Sequence, residues 1–343
     1  MGLQIGEIIP KKEITFSQLK GKTIAVDAFN TLYQFLTTIR QPDGTPLKDS
    51  QGNVTSHLSG LFYRNMSLLL EGIKLIYVFD GQAPLLKEKT REKRRQQKEL
   101  AFQKYKQALE EEDIQSMGKY ARSETYLDEK KINESKALLT AMGIAVIQAP
   151  SEGEAQASVL TKNNQAYAVS SQDYDCLLFG APLMIQNLSL AKKRKTPTGY
   201  KEILPQGIEL KNVLNELEIN QEQLICLGIL SGTDYNPGGV KGLGPKKSLK
   251  LVKEYKTKEK IFDALQTDEK LKQRYTLDFD WQEIYHEITN PAIDKQPTIT
   301  FPQLDKQKIK EILTQKEFSE QRIDSQLDKL KEIEKQKNQK TLF

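Results

Sequence analysis

Three separate apolar runs in this 343-residue chain end on an aspartate: Thr23-Ile24-Ala25-Val26-Asp27, Leu75-Ile76-Tyr77-Val78-Phe79-Asp80, and the run that leads from Ala166 through Val169 to Asp173. Short segments rich in Val, Ile, Tyr and Phe read as buried strands of a parallel sheet. Open α/β sheets bind ligands at the carboxyl ends of their strands, so this pattern delivers carboxylates to a binding crevice. Glu152, Glu154, Asp175 and Asp234 extend the set to seven. Seven carboxylates drawn together without a cation would repel and raise one another's pKa, so a divalent metal site is the economical reading.

The order of elements supports such a sheet. A strand to Asp27, a helix over 31–39, a Gly/Pro/Asp-rich loop over 41–53, a helix over 56–71 and a strand to Asp80 make a crossover between parallel strands. A helical, charged stretch over 85–112 then rises above the sheet where a short turn would suffice. An amphipathic helix over 128–142, stopped by Gly143, and a strand over 144–148 follow. Ser151 and Glu154 stand in capping-box spacing, yet the positive end of a first helical turn also suits site carboxylates. We read Glu152 as a metal ligand and keep capping as a second role for Glu154. Asp173 and Asp175 share one side if their backbone is extended. The expected class is α/β, a central mostly parallel sheet with helices on both faces.

Charge is unevenly placed. The net charge is +5, and residues 85–104 hold eight Lys or Arg against three acids, a surplus equal to that of the whole chain. Alone, such a run reads as a solvated helix face; directly after Asp80 it suits a polyanionic substrate. Length suggests about two domains. No apolar stretch of spanning length and no signal segment appear, which points to an intracellular protein without a membrane. Cys176 and Cys226 lack any framework or metal-finger spacing and read as buried thiols.

Residues 221–253 read as helix, glycine-rich hairpin, helix. In the hairpin, Gly242 and Gly244 permit close approach, Pro245 suits a first helical position, and free amides face a phosphate with Lys246 and Lys247 beside it. A nucleotide-binding P-loop ending is absent, while a simple packing element stays open. The basic run 192–195 reads as a solvated turn. Beyond about 258 the chain is polar, with short helices around Trp281, 306–313 and 319–335, and 335–343 reads as disordered.

Together these motifs resemble the flap endonucleases, structure-specific 5′ nucleases with a PIN-like fold. The resemblance runs from Met1-Gly2-Leu3-Gln4 through Ile24-Ala25-Val26-Asp27-Ala28, Tyr33-Gln34-Phe35-Leu36, Val78-Phe79-Asp80-Gly81, Ala149-Pro150-Ser151-Glu152-Gly153-Glu154-Ala155 and Asp173-Tyr174-Asp175-Cys176-Leu177 to Gly232-Thr233-Asp234-Tyr235. It implies that Asp27, Asp80, Glu152, Glu154, Asp173, Asp175 and Asp234 hold two Mg²⁺, some through water, with Mn²⁺ able to substitute. Lys87 and Arg94 match basic residues at the base of a helical arch, over about 85–127, that lean on the scissile phosphate. Tyr33 matches an aromatic that stacks a terminal base, and reads equally as a core residue of an amphipathic helix.

The resemblance further implies that the hairpin from Gly232 to Lys247 is a helix-two-turn-helix gripping duplex DNA with K⁺, through Gly242, Gly244, Lys246 and Lys247. The loop from Arg40 to Thr55 matches a wedge between duplexes, with Arg64 beyond it as a further DNA contact and Pro42, Pro46 and Leu47 as apolar surface. The implied organisation is a nuclease region over 1–98 including the base of the arch, the rest of the arch over 99–127, an internal nuclease region over 128–258, a C-terminal helical region over 259–335 and a tail over 336–343. Gln339, Leu342 and Phe343 fit part of the family's motif for the sliding clamp (PCNA), which is cut short before its aromatic pair.

The expected protein is therefore a Mg²⁺-dependent flap endonuclease with 5′-3′ exonuclease action on nicks and gaps, a monomer acting on branched DNA in Okazaki-fragment maturation and long-patch base excision repair. Its place is the cytoplasm or nucleoid if archaeal, the nucleus if eukaryotic. The rivals are a pure 5′ exonuclease, a DNA-binding scaffold with a dead site, and an Asp-rich phosphatase. The complete carboxylate set argues against the second, the basic excursion and hairpin against the third.

Overall fold

The protein is described by a computed structural model covering residues 3–41, 43–87, 126–189, 193–196 and 199–340, with positions 90, 92, 96, 100, 103 and 104. Its strands are β1 (Lys12–Glu13), β2 (Thr23–Asp27), β3 (Lys74–Phe79), β4 (Ala145–Gln148), β5 (Ala168–Ser170), β6 (Leu183–Gln186), β7 (Lys193–Thr196), β8 (Gly199–Glu202) and β9 (Gln206–Glu209). Seven of them form one sheet in the order β1-β9-β6-β5-β2-β3-β4, and β7 pairs with β8 in a separate hairpin. The five strands from β6 to β4 are parallel, while β9 joins antiparallel and carries β1. Chain direction across the sheet reverses at β2, because β3 and β4 lie on one side of it and β5 and β6 on the other. This is the topological switch point at which open α/β sheets place their binding crevice.

Both sheet faces are covered, which explains the unbroken apolar runs. On β2, Ile24 and Val26 enter one core cluster and Ala25 the other; on β3, Leu75, Tyr77 and Phe79 face one way and Ile76 and Val78 the other. The first cluster is closed by α1 (Phe16–Leu19), α2 (Ala28–Thr38), α3 (Ser56–Leu70), α4 (Glu129–Ala141), α13 (Lys306–Thr314) and α14 (Glu320–Lys340). The second takes α5 (Gly153–Lys162), α6 (Asp175–Leu178), α7 (Leu210–Leu217), α8 (Gln221–Ser231), α9 (Pro245–Tyr255), α10 (Lys258–Thr267), α11 (Glu269–Arg274) and α12 (Trp281–Thr289). Trp281 is stacked on Phe262 at 4.3 Å between ring centroids.

Several local expectations change. The first long helix begins at Ala28 rather than 31, because the Asp27 carboxylate accepts the Asn30 amide at 3.1 Å and caps it. The third Asp-ending run supplies a three-residue strand, β5, and Asp175 opens α6, so Asp173 and Asp175 are not on an extended segment. The run 192–195 is not a turn: residues 193–196 are strand β7. The polar tail is helical through Lys340, carried by α14, whose Ile323, Leu327 and Leu330 recur at helical spacing and are buried. Leu342 and Phe343 lie outside the described residues, as do Pro42, Arg94 and most of the stretch assigned to the arch. Among the described residues no helix is long and apolar enough to cross a membrane.

Candidate active site

The carboxyl ends of β2, β3 and β5 bring the first carboxylates together. Asp27 is the last residue of β2 and is 5 % exposed. Asp80 follows β3, and its Oδ1 accepts the Gly153 amide at 2.7 Å, tying β3 to the start of α5. A Cβ on Gly153 would lie 2.7 Å from that same oxygen, so the approach needs glycine. Glu152 is the N-cap residue of α5, but its side chain does not fold back to cap the helix. It pairs with Lys87, at the end of the turn Leu85–Lys87, and accepts the Tyr235 hydroxyl. The second role considered for Glu154, a capping box with Ser151, is not formed: α5 is capped at Glu152 and not Ser151, Glu154 turns to Ser171, and the first amide of α5 goes to Asp80.

Ser171, just past β5, knits the centre of the cluster. Its hydroxyl oxygen lies 2.8 Å from Glu154 Oε1 and 3.2 Å from Asp27 Oδ2, and it accepts the Asp173 amide at 3.2 Å. Asp175 is 7 % exposed, and its Oδ1 is buried without a hydrogen-bond partner among the described residues. Cys176 Sγ lies 3.7 Å from Glu154.

The carboxylates act on one another as the sequence reading requires. Burial, then the charge of Asp80, pushes Asp27 up to about 7, with Asp173 adding to it and the Asn30 amide opposing. Burial also pushes Asp175 up to about 7; Lys87 opposes this, while Asp173 and Asp234 reinforce it. Glu154 is raised well above its ordinary value by burial and by Asp27, Asp175 and Asp173. Six of the seven carboxylates are thus linked by mutual repulsion, and the seventh, Glu152, is already paired with Lys87. Among the described residues no three His, Cys, Asp or Glu side chains stand in a closed ligand set. A site that keeps water in its coordination shell needs no closed set, and the orphaned Asp175 oxygen beside repelling carboxylates has the chemistry of a place for a cation. The residues fit a divalent ion.

Comparison with known proteins decides the family. Residues 4–101 match the XPG N-terminal domain and residues 143–234 the XPG I-region. Flap endonuclease 1 of Thermococcus onnurineus is 47 % identical over 345 residues, spanning 100 % of this chain and 98 % of that protein. The chain belongs to the flap endonuclease family. The solved flap endonuclease-1 of Methanococcus jannaschii superposes with a TM-score of 0.74 at 41 % identity, covering 98 % of this chain and 100 % of that one. The catalytic core of Rad2 in complex with DNA substrate shares the fold, with a TM-score of 0.70 at 24 % identity over 95 % and 97 % of the two chains. The chain is accordingly an α/β nuclease of flap endonuclease type.

The other residues singled out in the sequence lie on α2, the loop after it, α3 and the glycine hairpin that leads into α9. Tyr33 lies half-buried on α2 against the core. Arg40 donates to the carbonyls of Thr37, Gly44 and Leu36 at 3.0, 2.8 and 3.2 Å, bracing the end of α2 against the following loop. That loop is a narrow ladder, bridged at Arg40–Pro46 and Lys48–Val54. Pro46 is buried and Leu47 half-buried, so neither offers the open apolar surface expected. Thr55 is buried at the start of α3 and Arg64 half-buried along it.

In the glycine hairpin, Gly242 holds φ +88° and Gly244 is the N-cap of α9. Gly244 meets nothing within 4 Å of an added Cβ, which leaves its backbone open to a ligand; within the chain itself the close backbone approaches are at Gly232 and Gly239, where a Cβ would stand 2.7 Å from Gly239 N and 2.3 Å from Leu230 O. Lys246 is 3.4 Å from Glu7, and Lys247 donates to the Gly242 carbonyl at 3.2 Å.

Tyr235, Ser171 and Gly153 escaped the residue-by-residue reading. Tyr235 and Gly153 sat inside recognised motifs next to Asp234 and Glu152, and that adjacency was the available signal.

Proposed function

We propose that this chain is a structure-specific 5′ flap endonuclease that hydrolyses a phosphodiester at the base of a displaced strand, with 5′-3′ exonuclease action on nicks and gaps. The observation that carries the reading is the cluster of mutually raised carboxylates at the switch point of the sheet. Asp27, Asp80, Glu152, Glu154, Asp173, Asp175 and Asp234 would hold two Mg²⁺, for which Mn²⁺ can stand in. When bound, such ions supply Lewis acidity at the attacking and leaving oxygens of an in-line displacement.

The chain's own part is positioning. Ser171 keeps Asp27, Glu154 and Asp173 in one hydrogen-bonded unit, and Gly153 fixes Asp80. Lys87 brings a cation to the edge of the cluster, where it meets the charge that develops on the scissile phosphate; Arg94 is assigned the same task. The amides of the glycine hairpin and the start of α9 face a duplex phosphate, aided by Lys246, Lys247 and a K⁺ ion. Arg64 and Tyr33 complete the DNA surface, and Arg40 and Thr55 serve it by holding the loop between them.

The substrate is branched DNA, recognised by shape and phosphates, and the setting is intracellular replication and repair. The tail with Gln339, Leu342 and Phe343 is assigned to a sliding clamp of the PCNA type; retention of clamp binding after removal of residues 336–343 would refute that assignment. The deciding experiment compares a labelled double-flap DNA with its nicked duplex and single strand, in Mg²⁺ and in EDTA. Metal-dependent cleavage near the flap junction is expected. Equal digestion of all three substrates would replace the reading with a general nuclease, and bound but uncut flap with a scaffold.

A further inference from the structure

Three groups from distant parts of the chain close a triangle at the rim of the carboxylate cluster. Lys87 ends the turn after β3, Glu152 precedes α5, and Tyr235 lies in the hairpin after α8. The Lys87 ammonium pairs with Glu152 and stands 4.5 Å from the centroid of the Tyr235 ring, while the Tyr235 hydroxyl donates to Glu152. Tyr235 is half-buried and packed against the core.

We propose that Tyr235 is a positioning residue that seats the Lys87 ammonium on its ring face at the point where Lys87 meets the scissile phosphate. The inference rests on the phosphate role assigned to Lys87 above. Lysine is a flexible four-carbon stem with a compact charge, so its reach into a site must be limited by a neighbour. A carboxylate neighbour limits it but also neutralises it. An aromatic face attracts the ammonium through its quadrupole and leaves the positive charge available. Glu152 touches both partners: it pairs with Lys87, and its bond to the Tyr235 hydroxyl fixes the tilt of the ring, so the hairpin that carries Asp234 also orients the ring face on which Lys87 is held without loss of its charge.

The test is a double-mutant cycle in single-turnover flap cleavage, using Tyr235→Leu, Lys87→Ala and the double variant of the full chain. Tyr235→Leu should slow cleavage about 3- to 30-fold, the factor a desolvated cation–π contact supports, with flap-DNA affinity nearly unchanged. In the Lys87→Ala background the same substitution should have little further effect. Tyr235→Phe keeps the ring and should recover most of the rate that Tyr235→Leu loses. Full additivity, equal damage from Phe and Leu, or a loss confined to DNA affinity would each overturn the assignment. Should Tyr235→Leu unfold, Tyr235→Met supplies the ringless arm at closer volume. A Lys87→Ala variant cleaving at the normal rate would instead strike the phosphate role on which the inference stands.

Discussion

The backbone amide of Gly153 donates to Oδ1 of Asp80 across 2.7 Å, so the strand that leads to one carboxylate and the helix that begins beside two others are joined at the site itself. An alanine Cβ there would sit 2.7 Å from Asp80 Oδ1 and 3.1 Å from the Val78 carbonyl, with no flexible group free to yield to both. Gly153→Ala should displace Asp80 or the first turn of α5. Misplacement near 1 Å costs roughly 100-fold in a positioned reaction, so single-turnover cleavage should fall about 10- to 100-fold. Overpacking should also destabilise the fold by about 1–3 kcal/mol. Normal cleavage by this variant would remove Asp80 from the working set.

Asp27 ties stability to pH. Its folded value of about 7 lies above the ordinary 3.8, so between those values the folded, metal-free protein holds a proton that the unfolded chain has released. Stability from this group is therefore lost as pH rises from about 4 to 7, and levels off above. Asp27→Asn carries no such charge, and asparagine still caps a helix well. Its stability relative to wild type in EDTA should climb between pH 5 and pH 8, read by urea unfolding. Adding Mg²⁺ at pH 8 should favour the wild type and reverse the ranking. A difference independent of pH would contradict the repulsion that defines the site.

Ser50, at the tip of the loop after α2, is held by Glu317 in the turn between α13 and α14: the Ser50 amide donates to Glu317 Oε2 at 2.8 Å and its hydroxyl donates to the same carboxylate. Both residues are exposed, so the contact should matter little for global stability. It should matter for where the loop stands. Glu317→Ala is expected to leave the unfolding midpoint nearly unchanged while lowering the preference for double-flap over nicked DNA several-fold. An unaltered substrate preference would separate the loop from junction recognition.

The strands and the carboxylates were legible because both follow from local rules: a doubly covered parallel strand is apolar throughout, and what lies past its carboxyl end faces the crevice. Asp27, Asp80 and Glu152 stand where those rules put them. The second role of Glu154 as a capping residue is not realised because α5 starts one residue later than Ser151 requires, with Glu152 as its N-cap, and because Glu154 turns to Ser171, 17 residues onward. Tyr235 was invisible for a related reason, since its partner Glu152 is 83 residues away and the contact exists only once the hairpin has folded back. The Pro46 surface failed because the loop closes into a ladder that buries it, an outcome of backbone pairing that composition does not encode.

Asp175 separates binding from chemistry most cleanly. It opens α6, 7 % exposed, with one buried oxygen that has no hydrogen-bond partner among the described residues. A buried carboxylate left in that state opposes folding, and its value of about 7 expresses the same penalty. On the proposed metal reading, a cation supplies the partner that this oxygen lacks. Asp175→Ala should therefore bind flap DNA with near-normal affinity, because the Lys246 and Lys247 side chains and the hairpin amides are untouched. Its cleavage should fall by at least about 1,000-fold, in keeping with the several kcal/mol of transition-state stabilisation that a bound metal provides. Isothermal titration with Mg²⁺ should show weakened or lost binding in the same variant. Normal turnover with an intact Mg²⁺ titration would remove Asp175 from the metal site and leave its burial unexplained.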